Sequence, residues 1–343
     1  MLMYVGSSEA GRGITTLAAD GRGRLVPVGE PCPVPAPFFL ARHPTQPVLY
    51  AANALDDGAV TAVRVGADGA LEPFSAQPSG GQIPVHVAVS PDGTGLLCAN
   101  WGGDGGIAVL PLDEDGALGA ATSAARPDRP GPAHAHHVSV RLTPAGKTEV
   151  ITVYLGVDQI QGYLLESGRL VPTWTVDAFP GTGPRHLAQH PRGQCYVSNE
   201  LAGTVSTFGA APGAGLRHLA TVGLRAPFPA APPAAGSERP MDQLAEIVVS
   251  PDGRFVHVSS RGPNTIVTFA VAEDGSLTPI GEQHAGGVFP IHFVRVGSWL
   301  YVANEQSDQV TGLGVDEHTG GVEPASLSVA VAGPTCLLPW EHA

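Results

Sequence analysis

Histidine, arginine and glutamate recur at two positions of a repeated hairpin in this sequence. In segment 183–201, GPRHLAQHPRGQCYVSNEL, Arg185 and His186 begin one apolar run and Glu200 follows the next. A tight turn joins the two runs, so the start of the first strand and the end of the second share one edge of the antiparallel hairpin. A guanidinium binds carboxylate or phosphate, a carboxylate can orient or deprotonate water, and imidazole transfers protons near neutral pH. We therefore expect the chemistry at this edge.

The other hairpins carry polar residues at the same two positions. The resulting candidate set is His86, His134, His136, Arg185, His186, Glu246 and His292 at strand starts, and Trp101, Glu200, Arg261 and Glu305 at strand ends. Their convergence predicts a polar pocket for a small anionic molecule. Simpler roles remain open: His86 and His292 can close strands by hydrogen bonding to the backbone, Arg185 can pair with Glu200, and Glu305 can be a rim carboxylate.

The run AHAHH at 133–137 raises the alternative of a metal site. In a regular strand His134 and His136 would share one face, and two such histidines can bind zinc. Further ligands would have to come from neighbouring hairpins, so we expect no metal. The sequence has neither a GxSxG elbow nor a Walker motif, and the glycine-rich stretch 100–106 opens no helix. We expect no cofactor.

Two series of turns reveal the elements that position these residues. The first series reads HPTQ at 43–46, SPDG at 90–93, TPAG at 143–146, HPRG at 190–193 and SPDG at 250–253, with a shorter VGS at 296–298. Proline second and glycine fourth suit a type I turn, and an apolar strand such as CYVSN follows each one. The second series is a glycine turn ending at Leu25, Leu71, Leu118, Leu170, Leu216, Leu277 and Val322. Seven units of four short strands predict an all-β, seven-bladed β-propeller.

The two ends of the sequence predict how the ring of blades closes. MYVGS near the start matches the second strand of a unit, and GPTCLLP near the end matches the strand before it. The strand near 334–338 should therefore pair with the strand near 3–6, which removes two exposed edges. We expect residues 1–343 to form a single propeller domain.

Composition narrows the functional classes. The 45 glycines and 33 prolines exclude a mainly helical protein, and 43% hydrophobic residues suffice for a large core. A net charge of −13 disfavours nucleic acid and anionic membranes. No transmembrane segment, signal peptide or CxxC pair is evident, so we expect a cytoplasmic bacterial protein with buried, reduced cysteines, monomeric or weakly self-associating. The proline-rich stretch 226–240 is either a plain surface loop or a rim of the pocket.

Segments 84–102, 183–201 and 245–262 closely resemble the lactonase family of seven-bladed propellers, which includes bacterial 6-phosphogluconolactonases and fungal carboxy-muconate cyclases. The family's functional motifs map onto His136 (with His134 as second choice) in GPAHAHH, Arg185 in GPRH, Glu200 in NEL and Arg261 in SSRG, where the family has SNRG. The resemblance implies a cofactor-independent lactonase acting on a small anionic sugar lactone such as 6-phosphogluconolactone.

In this interpretation the two arginines bind the anion and polarise the carbonyl, Glu200 activates or orients water, and His136 protonates the leaving alkoxide. Glu200 and His136 could exchange roles. Two other functions stay open. The first is a cyclase that forms a lactone from an unsaturated dicarboxylate, and the second is a non-catalytic binding scaffold.

Overall fold

The computed structural model describes residues 1–20, 23–211, 215–224 and 241–341, and these residues form seven four-stranded antiparallel sheets. Blade 1 contains β1 (Leu2–Ser7), β2 (Thr15–Ala19), β3 (Leu25–Pro27) and β28 (Pro334–Trp340); blade 2 contains β4 (Pro37–Arg42), β5 (Val48–Asn53), β6 (Ala59–Val65) and β7 (Leu71–Pro78); blade 3 contains β8 (Gln82–Val89), β9 (Gly95–Gly102), β10 (Gly106–Pro111) and β11 (Ser123–Ala125).

Blades 4 to 7 follow in the same order along the chain. Blade 4 contains β12 (Ala135–Leu142), β13 (Thr148–Tyr154), β14 (Gln159–Glu166) and β15 (Arg169–Asp177); blade 5 contains β16 (Pro184–Gln189), β17 (Cys195–Asn199), β18 (Thr204–Ala210) and β19 (Leu216–Gly223); blade 6 contains β20 (Leu244–Val249), β21 (Phe255–Ser260), β22 (Thr265–Val271) and β23 (Leu277–His284); blade 7 contains β24 (Pro290–Val296), β25 (Trp299–Asn304), β26 (Gln309–Val315) and β27 (Val322–Ala330). Short 3-10 turns, Leu155–Val157 and Glu305–Ser307, follow β13 and β25.

Burial differs between the inner and outer strands of a blade. The second strands, such as β5 and β21, are buried along their whole length, whereas the outermost strands β15 and β27 alternate between partly buried and exposed residues. A strand with a neighbouring blade on both faces loses the polar alternation that a half-solvated strand keeps. The apolar core therefore lies between the blades, in seven clusters.

Pairing of β28 with β1 closes the ring. The two strands are antiparallel, with Leu2 opposite Trp340 and Val5 opposite Leu337. β28 is the innermost strand of blade 1, and the other three strands of that blade come from the beginning of the chain. The predicted seven-bladed fold and its closure are both confirmed.

Side chains of the second strands form hydrogen bonds to the glycine turns of the second series in the next blade. At five of the blade junctions a tyrosine hydroxyl or a histidine ring nitrogen bonds to the carbonyl oxygen of the glycine in the next blade's turn. The pairs are Tyr4–Gly69 (3.0 Å), Tyr50–Gly116 (2.9 Å), Tyr196–Gly275 (3.0 Å), His257–Gly320 (3.2 Å) and Tyr301–Gly23 (2.7 Å). Each bond fixes one blade against its neighbour at the outer end of the interface.

Every innermost strand contains one extra residue near its start. Opposite the second strand, the register shifts by one residue between Pro37 and Phe39, and equivalent shifts occur in the other six blades. Such a bulge breaks the alternation of side chains and re-aims the residues beside it. Two consecutive residues of a strand can therefore reach the same central channel.

Several other expectations concern the described residues. All four cysteines are buried and unpaired. No helix in the described parts of the chain is long and apolar enough to cross a membrane. The proline-rich stretch 226–240, predicted as a surface loop or a pocket rim, lies outside the described residues.

Candidate active site in the central channel

Each innermost strand places one side chain from its bulge region at the centre of the ring. We call this set the channel ring; in blade order it is Cys336, Phe39, His86, His137, His186, Glu246 and His292. Neighbours in the ring touch: ring centroids are 3.9 Å apart for Phe39 and His86, 4.2 Å for His86 and His137, and 5.0 Å for His137 and His186. The propeller thus gathers four histidines and a carboxylate from five blades.

Glu246 joins two of these histidines. Its Oε2 lies 3.0 Å from Nδ1 of His186 and 3.3 Å from Nε2 of His292. Its Oε1 accepts a hydrogen bond from the backbone N–H of Ile247 at 3.0 Å. Both carboxylate oxygens therefore have partners, as expected of a buried acid.

A second cluster consists of two arginines around one carboxylate. Arg185 is the extra residue of β16 and is 2% exposed, Glu200 follows β17 of the same blade, and Arg261 follows β21 of the next. Nε of Arg185 is 3.0 Å from Oε2 of Glu200, and Nη2 of Arg261 is 2.8 Å from Oε1. The sequence-based prediction that Arg185 and Glu200 share one rim is consistent with these distances.

These contacts have the distance of ion pairs but not the angles of hydrogen bonds. Nε and Nη1 of Arg185 and Nη2 of Arg261 are buried without a hydrogen-bond acceptor. Burial, together with the charge of Arg261, lowers the pKa of Arg185 to about 10, so it stays cationic at neutral pH. An unsatisfied buried N–H is costly, and a ligand that accepts hydrogen bonds would remove that cost.

The channel histidines are neutral near pH 7. Burial is the main cause that lowers the pKa values of His86, His136, His186 and His292, and it lowers that of His137 to about 4. The charge of Arg185 lowers the pKa of His136 further. The lowered pKa favours the neutral form of His136, and its role as the acid that protonates the leaving alkoxide remains a prediction.

The AHAHH run does not behave as a regular strand. β12 begins at Ala135, and His134 precedes it with a φ of 47°. His136 is the extra residue of the bulge, its ring centroid 5.3 Å from that of His186, and His137 enters the channel ring. The prediction that His134 and His136 share a face is wrong, because the turn and the bulge replace strand alternation. The sequence left open which of His134, His136 and His137 is functional, and the structure places His137 in the channel ring.

His134 and Trp101 form a separate pair outside the channel ring. Their rings stack at 4.3 Å and 18°, and Nδ1 of His134 donates to the carbonyl oxygen of Trp101 at 2.7 Å. Trp101 is 36% exposed. Their predicted role in substrate binding remains a prediction. Glu305 opens the turn after β25 and raises the pKa of Arg185 by its charge, which places it near the arginine cluster.

Within the described residues, no three histidine, cysteine, aspartate or glutamate side chains are placed to hold a metal ion. The site therefore places neutral histidines, which can accept a proton, beside cationic arginines whose N–H groups lack an acceptor. This combination can bind a carbonyl or anionic oxygen and move a proton close to it.

The fold and this site together define a seven-bladed propeller with a buried cluster of polar and charged side chains at its centre. The sequence model of the family described as "Lactonase, 7-bladed beta-propeller" matches residues 2–339. The chain belongs to this lactonase family, and the resemblance seen in the sequence is confirmed.

Individual relatives carry lactonase names. The chain is 30% identical over 314 residues to a 6-phosphogluconolactonase of Bacillus subtilis, covering 88% of this chain and 86% of the relative. It is 29% identical over 300 residues to one from Sodalis glossinidius, covering 85% of each. Among solved structures, a periplasmic gluconolactonase of Pseudomonas aeruginosa superposes with a TM-score of 0.86 at 27% identity, covering 98% of this chain and 99% of the other.

Proposed function

We propose that this protein is a lactonase that hydrolyses a small sugar lactone in its central channel without a cofactor. The observation that carries the proposal is the buried Arg185, whose Nε and Nη1 have no acceptor although Glu200 lies 3.0 Å away. The names of its relatives support sugar lactones as the substrate class. A lactone related to 6-phosphogluconolactone is the first candidate, and unphosphorylated gluconolactone is the second.

Arg185 and Arg261 would act on the lactone carbonyl and on any anionic group of the substrate. Their free N–H groups supply donors where negative charge develops on the carbonyl oxygen during attack by water. Donors that are already fixed and buried need little reorganisation when that charge appears. Each carboxylate oxygen of Glu200 faces one guanidinium group. We therefore assign Glu200 the role of aligning the two arginines.

The charges around the site bear on the choice between the two lactones. Arg185 and Arg261 supply two positive charges, while Glu200, Glu246 and Glu305 are three carboxylates that act on Arg185. A phosphate would add negative charge, so its binding should depend strongly on Arg261, the less buried of the two arginines at 9% exposure against 2%. Gluconolactone carries no phosphate, so its binding should not depend on Arg261 in this way.

The test compares lactone opening with Arg185→Met, which keeps most of the side-chain volume and removes the donors. The wild-type protein is assayed on 6-phosphogluconolactone, gluconolactone and carboxy-muconate, each corrected for the spontaneous reaction. We expect opening of at least one sugar lactone and a loss of about 100-fold or more in kcat/KM in the variant, the size found when a fixed oxyanion donor is removed. Activity on carboxy-muconate alone would favour the cyclase.

A non-catalytic scaffold makes a different prediction. It would open none of these compounds, and neither the lactones nor their open acids would raise the melting temperature of the wild-type protein. That pair of results would refute the lactonase proposal. The cytoplasmic location and the monomeric or weakly self-associating state remain predictions.

A further inference from the structure

The channel histidines differ in the contacts of their ring nitrogens, and this difference separates their chemical roles. We propose that His186, positioned by Glu246, is the base that takes a proton from the attacking water and then delivers it to the lactone ring oxygen. The inference rests on the proposed lactonase function. It replaces both Glu200 and His136 in the roles that sequence reasoning gave them.

The backbone sets the tautomer of His292. The N–H of Leu337 in β28 donates to Nδ1 of His292 at 3.3 Å. Nδ1 must therefore carry a lone pair, and in the neutral ring the proton lies on Nε2. Nε2 lies 3.3 Å from Oε2 of Glu246, so its N–H group is close to the carboxylate on the side of blade 7.

The same carboxylate oxygen fixes the tautomer of His186. Oε2 of Glu246 is 3.0 Å from Nδ1 of His186, and a carboxylate can only accept, so the proton lies on Nδ1. Nε2 of His186 then has its lone pair, and no described residue donates to it. A carboxylate that holds one ring nitrogen while the other takes up a proton is the arrangement that orients a catalytic histidine.

The other candidates for the base lack one part of this arrangement. His86, His136 and His137 each have a buried Nδ1 without a hydrogen-bond partner, so no carboxylate orients them through that atom. Nδ1 of His292 accepts from the backbone of Leu337 and its Nε2 carries the proton, so His292 has no free lone pair. Glu200 has an arginine at each oxygen, so a water would compete with two guanidinium groups for it.

His186 also lies where the substrate would be. Its side chain is buried among charged and ring-bearing groups from blades 2 to 7. The titratable and charged groups that face it are His86, His136, His137, Arg185, Glu246, Arg261 and His292. The charges of both arginines act on its imidazole, so a carbonyl bound to them would lie near this ring.

The chemical step balances with water as the only co-reactant. The water oxygen attacks the carbonyl carbon while its proton passes to Nε2 of His186, and the arginines stabilise the charge on the carbonyl oxygen. The bond from the carbonyl carbon to the ring oxygen then breaks, and His186 returns the proton to that oxygen. The product is a hydroxy acid, which releases its own proton to solvent. Glu246 stabilises the imidazolium between the two transfers.

The experiment measures kcat, KM and the pH profile for His186→Gln and Glu246→Gln on whichever sugar lactone the wild-type protein opens. We expect His186→Gln to lose roughly 100-fold or more in kcat, the usual contribution of a general base, with KM changed less than about threefold. The acid limb of the wild-type profile, below pH 6.5, should vanish in this variant. Glu246→Gln should lower kcat and leave KM nearly unchanged.

A matched control is His190→Gln, which replaces another buried histidine of the same hairpin. His190 bonds to the carbonyl oxygen of Gly253 at 2.8 Å, at the end of β16 away from the arginines. It should keep the wild-type kcat and pH profile. Melting temperatures and binding of the open acid show whether each variant is folded.

The two proposals fail differently. A wild-type protein that opens no lactone refutes the proposed function. A wild-type protein that is active, with folded His186→Gln and Glu246→Gln variants that both keep kcat within threefold and retain the acid limb, refutes the role of His186 alone. If Glu200→Gln instead abolishes that limb, Glu200 is the base.

Discussion

Acid should unfold this protein at a higher pH than its carboxylates alone would allow. The buried histidines are neutral in the folded protein and gain protons freely in the unfolded chain. Their pKa values are lower in the folded state than the usual 6.5, so the unfolded state binds more protons as pH falls below 6.5. Stability is therefore complete above pH 6.5 and is lost progressively as pH falls toward 4.

Two histidines allow the size of this loss to be calculated. Burial lowers the pKa of both His137 and His257 to about 4. Between an unfolded pKa of 6.5 and a folded pKa of 4, each histidine removes ~2 kcal/mol of folding free energy when pH falls from 7 to 5. The pair removes ~4 kcal/mol, and the remaining channel histidines act in the same direction. The free energy of unfolding of a typical domain is about 5–15 kcal/mol, so this loss is a large part of the total stability.

The assay is urea unfolding at pH 7, 6 and 5, followed by tryptophan fluorescence. The window from pH 6.5 to 4 lies above the usual pKa of aspartate, so carboxylates such as Asp252, whose pKa is lowered by Ser250 and Arg254, contribute little to it. His257→Gln serves as a variant that removes one histidine outside the channel, and about 2 kcal/mol of the loss at pH 5 should disappear with it. A wild-type free energy of unfolding that changes by less than about 1 kcal/mol between pH 7 and 5 would refute the reasoning.

Three further predictions follow from other contacts. Glu200→Gln leaves Arg185 and Arg261 without the carboxylate between them, so kcat/KM for the lactone should fall by about 10-fold or more and the melting temperature should drop; unchanged kinetics would contradict the alignment role. Tyr301→Phe removes the hydrogen bond to Gly23 at the junction where the ring closes and should cost ~1 kcal/mol in urea unfolding, with no effect on kcat. Because burial raises the pKa of all four cysteine thiols, a thiol reagent at pH 8 should react with none in the native protein and with four in urea; rapid native labelling would contradict their burial.

The repeats made the fold predictable because turns are encoded locally. A proline or glycine at a fixed place in a tight turn specifies backbone geometry from a few residues, and seven such units leave little choice of architecture. Ring closure followed from the incomplete first and last units. The meeting of Arg185, Glu200 and Arg261 could be predicted for the same reason, since each adjoins the end of a strand whose position in its blade was already known.

The finer geometry of the site could not be predicted because it depends on one extra residue per innermost strand. Nothing in the pattern of AHAHH marks where the register against β13 shifts, so His134 was placed on the wrong face and the choice among His134, His136 and His137 stayed open. The protonation of His136 could not be predicted for a different reason. Its pKa depends on burial and on the charge of Arg185, and both exist only after blades 4 and 5 have packed together.

The pairing of β1 with β28 has a consequence for how the chain folds. Met3 pairs with Pro339, so nearly the whole sequence of the propeller lies between these two partners. During synthesis β1 emerges before every other strand of the ring and β28 after them all. Until then the inner edge of β1, with Met3, Tyr4 and Val5 all fully buried in the finished protein, has no partner. A ribosome stalled before Pro334 would leave this edge of β1 unpaired and able to pair with another chain.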